Sequence, residues 1–297
     1  MEPRSLFCFG LGYSAKRLAR RLLADGWQVS GTCRDADQAA ALRAEGIHAH
    51  QFDGETPADR AWLEGVTHIL SSMPPSAAGD PVLAGFADIL ATRSDVTWVG
   101  YLSTTGVYGN TDGAWIDETA PVHASRLANV PRSRHRAKAE RGWMALHENN
   151  GLPVHLFRLA GIYGPGRSPL DNIRDGKARR IDKPGHKFSR IHVDDIATVL
   201  MASMARPNPG TIYNVCDDEP MEPATVTTFA CELLGVEPPP MTPFDEAAKA
   251  MTPMGLSFWE DNRRVRNNRI KDELGVTLAY PTYREGLRAL AQNLAQR

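Results

Sequence analysis

"SLFCFGLGYSAKRLARRLLADG" (residues 5–26) decides the fold. A short apolar run ends in glycines, and Ala15, Leu18, Ala19, Leu22 and Leu23 then recur at helical spacing until Gly26 stops the pattern. This is a strand, a turn and an amphipathic helix. Gly10, Gly12 and Ala15 spell G-x-G-x-x-A at the junction. Such glycines permit a tight turn and let the backbone approach a pyrophosphate at the helix N-terminus. Tyr13 and Ser14, which open the helix, join them as candidate cofactor contacts.

Outward from this unit the strand signal repeats at 27–34, 47–53, 66–73, 96–104 and 152–164, with helix-compatible segments between. That alternation is the pattern of a parallel sheet built from βαβ units. The end of the second strand selects the cofactor: an acid there takes ribose hydroxyls, an arginine favours a 2′-phosphate. Arg34 stands there, followed by Asp35, so NADP is favoured over NAD, with Asp35 as the alternative ribose ligand. Asp53, closing the third strand, is a candidate for the adenine edge, and Ser71, Ser72 and Met73 at the end of the fourth complete the cofactor set. "VEPPPMTP" (236–243) reads as a rigid connector.

Composition narrows the partners. The 297 residues carry 34 Lys plus Arg against 35 Asp plus Glu, so no charge excess drives broad phosphate binding, and nucleic acid is not an expected partner. Apolar runs stop short of the ~18–20 residues a bilayer requires, no secretory cleavage pattern follows Met1, and a cytoplasmic location is expected. Cys8, Cys33, Cys216 and Cys231 have neither disulfide-frame nor zinc spacing.

"YLSTTGVYGN" (101–110), "FRLAGIYGPGR" (157–167), "FSRIHVDDIA" (188–197) and "GTIYNVCDDEP" (210–220) together resemble the extended and atypical short-chain dehydrogenase/reductases, the NAD(P)-dependent epimerase/dehydratase-like family. The resemblance runs in order from Gly10 to about residue 287. It implies an α/β, Rossmann-type doubly wound parallel sheet with a smaller C-terminal substrate-binding lobe. The Rossmann part would span 1–165 with 188–217 returning to it, and the lobe 166–187 and 218–297. It also implies that Thr104, four residues before the tyrosine of "VYG", hydrogen-bonds the reacting oxygen, with Thr105 beside it.

The family's catalytic helix carries a tyrosine followed four residues later by a lysine, one helical face serving proton transfer and ribose binding. "PRSRHRAKAE" (131–140) stands at that place, and no tyrosine occurs anywhere in 114–162. Two registers fit. Aligning on Lys138 puts Arg134 at the tyrosine position; anchoring on Glu140, which matches a family glutamate, puts Arg136 at the lysine and Arg132 at the tyrosine. An arginine cannot exchange a proton near neutrality. His135 is the first stand-in, ahead of His123, Glu118, Tyr163 and the pair His192 and Asp194.

Tyr163, Arg167 and Arg190 are candidate substrate contacts, the two arginines favouring an anionic small molecule if they converge. The functional readings are an NAD(P)-binding oxidoreductase or epimerase/dehydratase-like enzyme acting on a small polar or nucleotide-linked substrate, and a non-catalytic NADP-binding sensor or regulator. The resemblance further implies a homodimer through helices beside the catalytic one, against which the arginine-rich 131–141 stands.

Overall fold

The computed structural model describes residues 4–53, 59–122 and 131–295. In the first half β1 (Ser5–Phe9), α1 (Tyr13–Ala24), β2 (Gln28–Cys33), α2 (Ala36–Ala44), β3 (His48–Gln51), β4 (His68–Ser71), α3 (Pro81–Leu90) and β5 (Trp98–Thr104) alternate. The short β6 (Trp115–Ile116), the long α4 (Pro131–Asn150) and β7 (Val154–Leu159) follow. The second half runs β8 (Gly161–Tyr163), α5 (Pro169–Arg174), β9 (Arg180–Asp182), β10 (Arg190–His192), α6 (Val193–Ala205), β11 (Ile212–Val215) and α7 (Pro223–Leu234). It ends with β12 (Met241–Pro243), α8 (Phe244–Ala248), α9 (Pro253–Glu260), β13 (Arg264–Val265), α10 (Asn268–Asp272) and α11 (Tyr283–Ala295).

Seven strands form one parallel sheet in the order β11-β7-β5-β4-β1-β2-β3. The chain winds outward from β1 through β2 and β3, then restarts on the other side at β4. In an open parallel sheet that reversal leaves a crevice at the carboxyl ends of β1 and β4. β1 is buried along its whole length, as the uninterrupted run "SLFCF" requires of a strand covered on both faces. Alternation sends Leu6 and Cys8 into the core shared with Leu18 and Val199, and Phe7 and Phe9 into the core shared with Phe86 and Trp143. Gly31 holds β2 against β1, since a Cβ there would come to 2.4 Å from the Cys8 carbonyl oxygen.

Two sequence expectations change. The run 152–164 is two strands: at the break Ala160 N–H donates to Val215 O in the main sheet, while Gly161 N–H donates to Ser189 O and starts β8, which pairs with β10. Within the connector 236–243, Met241–Pro243 is a strand lying parallel to β9. The smaller C-terminal lobe has its own apolar centre, where Tyr163, Leu170, Val226, Tyr283 and Leu287 meet. No helix among the described residues is long and apolar enough to cross a membrane.

Candidate functional site

The glycine turn is held from both flanks. Gly10 N–H donates to the Thr32 hydroxyl (2.9 Å), Leu11 N–H to Thr32 O (2.6 Å), and the Ser72 hydroxyl to Gly10 O (2.5 Å). Gly10 has φ +86°, and a Cβ there would press on Met73 at 3.0 Å, so its glycine is required by the fold itself. Gly12 differs. It caps α1, and a Cβ on it would meet nothing within 4 Å, so open space adjoins the backbone where the first-turn N–H groups emerge. No acidic side chain occupies the first turn of α1. Residues of this kind fit a dinucleotide pyrophosphate, with the helix N-terminus supplying donors and dipole.

Around the turn, Ser14 and Ala15 are buried, Tyr13 is half-buried, and Ser71, Ser72 and Met73 stand at the end of β4. The Ser71 hydroxyl is enclosed without a hydrogen-bond partner. Asp35 is engaged as the N-cap of α2, accepting from Gln38 N–H at 2.9 Å. Arg34 beside it is exposed, and its side chain forms no ion pair among the described residues. Asp53 follows β3 on the same edge and is exposed.

Helix α4 is fixed about its axis by a buried ion pair. Arg158 of β7 donates from Nη2 and Nε to the Glu140 carboxylate at 2.7 and 3.1 Å, the Ser103 hydroxyl adds a third bond at 2.5 Å, and both charged residues are at most 5% exposed. Arg136, one turn earlier, donates to Leu102 O (2.5 Å) and to the Tyr101 hydroxyl (3.2 Å). A helical step of about 100° per residue then decides the rest. Arg132 and Ser133 reach the cavity described below, whereas His135 and Lys138 are not among the residues that line it. Lys138 is exposed and His135 half-exposed. Of the two registers, the one anchored on Glu140 brings its tyrosine position, Arg132, to the cavity, while Arg134 of the other register and Arg136 do not line it. His123 lies outside the described residues.

Ser133 was not among the sequence candidates. It is 4% exposed, and its Oγ lies 2.8 Å from where a Cβ of Gly106 would sit, with Thr104 Oγ1 at 3.3 Å from the same point. Two hydroxyls thus flank Gly106 at the end of β5. The spacing 133, 136, 140 is one helical face and was a readable signal. Thr104 also caps the turn that follows, accepting from Gly106 N–H at 3.1 Å.

These groups form one wall of a cavity of about 520 Å³, lined also by Thr105, Tyr163, Arg167, Arg190 and residues of α9 and α11. Arg167 is exposed and lies 5.7 Å over the ring of Tyr13, so it stands between the cavity and the start of α1. Arg190 donates to the Phe188 and Met221 carbonyl oxygens at 2.9 and 3.0 Å. Tyr163 offers only its ring. Its hydroxyl is enclosed without a partner against Gly286, and burial raises its pKa far above the ordinary phenol range. His192 is the N-cap of α6, and Asp194 is paired with Arg17, so this pair ties α6 to α1. Glu118 receives Asn214 N–H at 2.8 Å. From α4 the cavity receives a guanidinium and an alcohol, which donate hydrogen bonds and positive charge but do not titrate near neutrality.

The strand order, the glycine turn at the crevice and the cavity beside it give the chain the fold of the epimerase/dehydratase-like short-chain dehydrogenase/reductases. The chain belongs to one family with a functionally unknown conserved protein from Silicibacter pomeroyi DSS, with which it shares 52% identity and a TM-score of 0.88 over 98% of this chain and 99% of that one. Protein YeeZ of Escherichia coli K12 is 28% identical over 284 residues, 92% of this chain and 94% of its own length. The NAD complex of dTDP-glucose 4,6-dehydratase from Bacillus anthracis has the same fold, with a TM-score of 0.76 at 16% identity over 99% and 97% of the two chains. No protein-family model matches the chain.

Proposed function

We propose that the protein is an NADP-binding oxidoreductase or epimerase/dehydratase-like enzyme of the cytoplasm, acting on a small anionic molecule. One observation carries the cofactor choice: Arg34 projects unpaired at the end of β2 while Asp35 is engaged in capping α2. A free guanidinium suits a 2′-phosphate, and an acid already accepting a helix N–H is a poor ribose ligand. The bound dinucleotide supplies hydride chemistry. The chain's own residues orient the partner molecule: Thr104 and Ser133 would donate to its reacting oxygen, and Arg136, at the family's lysine position, is the residue that would hold the ribose.

The test is calorimetric titration with NADP, NADPH, NAD and NADH. Micromolar or tighter binding of the phosphorylated pair, reduced in Arg34→Ala to the level of NAD, supports the assignment. Equal affinity for all four, or binding of none, removes it.

A second reading, a non-catalytic NADP-binding regulator, is favoured by one feature: the cavity side of α4 presents Arg132 and Ser133 in place of a tyrosine. It expects tight cofactor binding without turnover of any carbonyl substrate.

A further inference from the structure

We infer that the molecule bound in the cavity is an amphipathic anion, a carboxylate or phosphate head carrying an apolar chain or ring. This rests on the reading of the cavity as a substrate site and narrows it. The charge balance comes first. Of the acids that line the cavity, Asp261 is paired with Arg263 (2.8 Å) and Asp175 with Lys177 (2.8 Å), which leaves Asp171, bonded to the neutral Ser168 hydroxyl (2.6 Å), as one uncompensated carboxylate against three cations. Arg190 is engaged by two carbonyl oxygens. Arg132, Arg167 and Lys187 remain, lining the same cavity without an ion pair among the described residues. Burial and the neighbouring Arg136 already lower the pKa of Arg132, so an anion beside it relieves an unfavourable charge.

The second half of the argument is apolar. Val226 and Leu287 of the lobe core line the cavity floor. At its edge Phe258 is 50% exposed, and Met254, one turn earlier on α9, is 65% exposed. The two residues share a helical face and leave a strip of apolar surface in water next to the charged wall. The junction is specific, since the Arg132 guanidinium lies 4.8 Å over the Phe258 ring. A purely hydrophilic sugar would leave that strip wet. A chain or ring attached to an anionic head would cover it while its head meets the unpaired cations.

The experiment titrates the full chain with straight-chain alkyl phosphates and alkanoates of four to ten carbons, below their micelle concentrations, with dTDP-glucose as the hydrophilic anion. NADPH binding is measured on the same preparations. Affinity should rise with chain length, by up to about fourfold per methylene while the strip is being covered, so that decyl exceeds butyl at least tenfold. Phe258→Ser combined with Met254→Ser should flatten that dependence. Arg132→Ala should weaken every chain length by a similar factor and keep the slope. The stronger series, phosphate or carboxylate, identifies the head group.

A flat response to chain length, no binding of either series, or dTDP-glucose binding more tightly than the decyl compounds overturns the inference. NADPH binding retained in those cases shows that the dinucleotide reading stands without it; alkyl-anion binding with no dinucleotide bound shows the reverse.

Discussion

Gly10 and Gly12 are two residues apart and serve different masters. Gly10 is required by the chain, through its positive φ and the Met73 side chain against it, whereas at Gly12 the space beyond the backbone is open. Gly10→Ala should lower unfolding free energy by ~1–2 kcal/mol, the cost of a left-handed non-glycine residue. Gly12→Ala should change it by less than ~0.5 kcal/mol, in the range of neutral surface substitutions, while weakening dinucleotide affinity at least about tenfold. Urea unfolding and calorimetry on both variants separate the effects; a Gly12→Ala protein that binds normally would show that nothing approaches there. The Glu140–Arg158 pair permits a second prediction at this scale. Removing one partner alone, as in Glu140→Ala, leaves a buried charge uncompensated and should cost about 3–5 kcal/mol, whereas Glu140→Leu with Arg158→Met should cost much less. Equal losses in the single and double variants would contradict this account.

At the scale of elements, β7 is tied to the segment leading into β11 through His155. The ring is fully buried; Asn208 N–H donates to its Nε2 (3.0 Å), so Nδ1 carries the proton and donates to Val99 O (3.2 Å). Both nitrogens are satisfied only in the neutral ring, and burial lowers its pKa from 6.5 to about 4. Because the folded value lies below the unfolded one, this contribution is complete above pH 6.5 and is lost as pH falls toward 4, on the order of 3 kcal/mol in all. Urea midpoints measured from pH 7.5 to 4 should decline through that window, and less steeply in His155→Gln. An unchanged slope in the variant would assign the decline to other groups.

The same scale shows what the sequence makes legible. The glycine turn, α1 and the first five strands are local signals, dictated by apolar runs and spacing, and they appear within a few residues of where the sequence puts them. The pairings β8 with β10, β9 with β12 and β6 with β13 involve two or three residues joined across long separations, which no local pattern announces. Ser133 escaped, although its spacing with 136 and 140 is readable, because the flanking cations dominate the reading of that stretch. The face of α4 depended on Arg158, eighteen residues beyond Glu140, and a single helix cannot reveal that partner.

For the whole molecule, the outward side of α4 sets the terms of self-association. Arg134, Lys138 and Arg141 are exposed at i, i+4 and i+7, without ion pairs among the described residues. A two-fold dimer formed through this helix brings the same patch of each copy together, so like charges face one another. The homodimer implied by the sequence resemblance should therefore tighten as salt is raised from about 0.05 to 0.5 M, because screening shortens the reach of that repulsion. Sedimentation equilibrium across that range checks it, and a dimer that loosens with salt would place the contact elsewhere.

The clamp on α4 has an implication for how this scaffold changes its chemistry. Since Glu140 and Arg158 index the helix from below, position 132 behaves like a socket in a fixed jig, and what fills it can be exchanged without re-aiming the rod. A chain carrying Arg132→Tyr would present a phenol at the same cavity, on an otherwise untouched frame. An exchange at that position is, on that view, a change of tooling and leaves the machine intact.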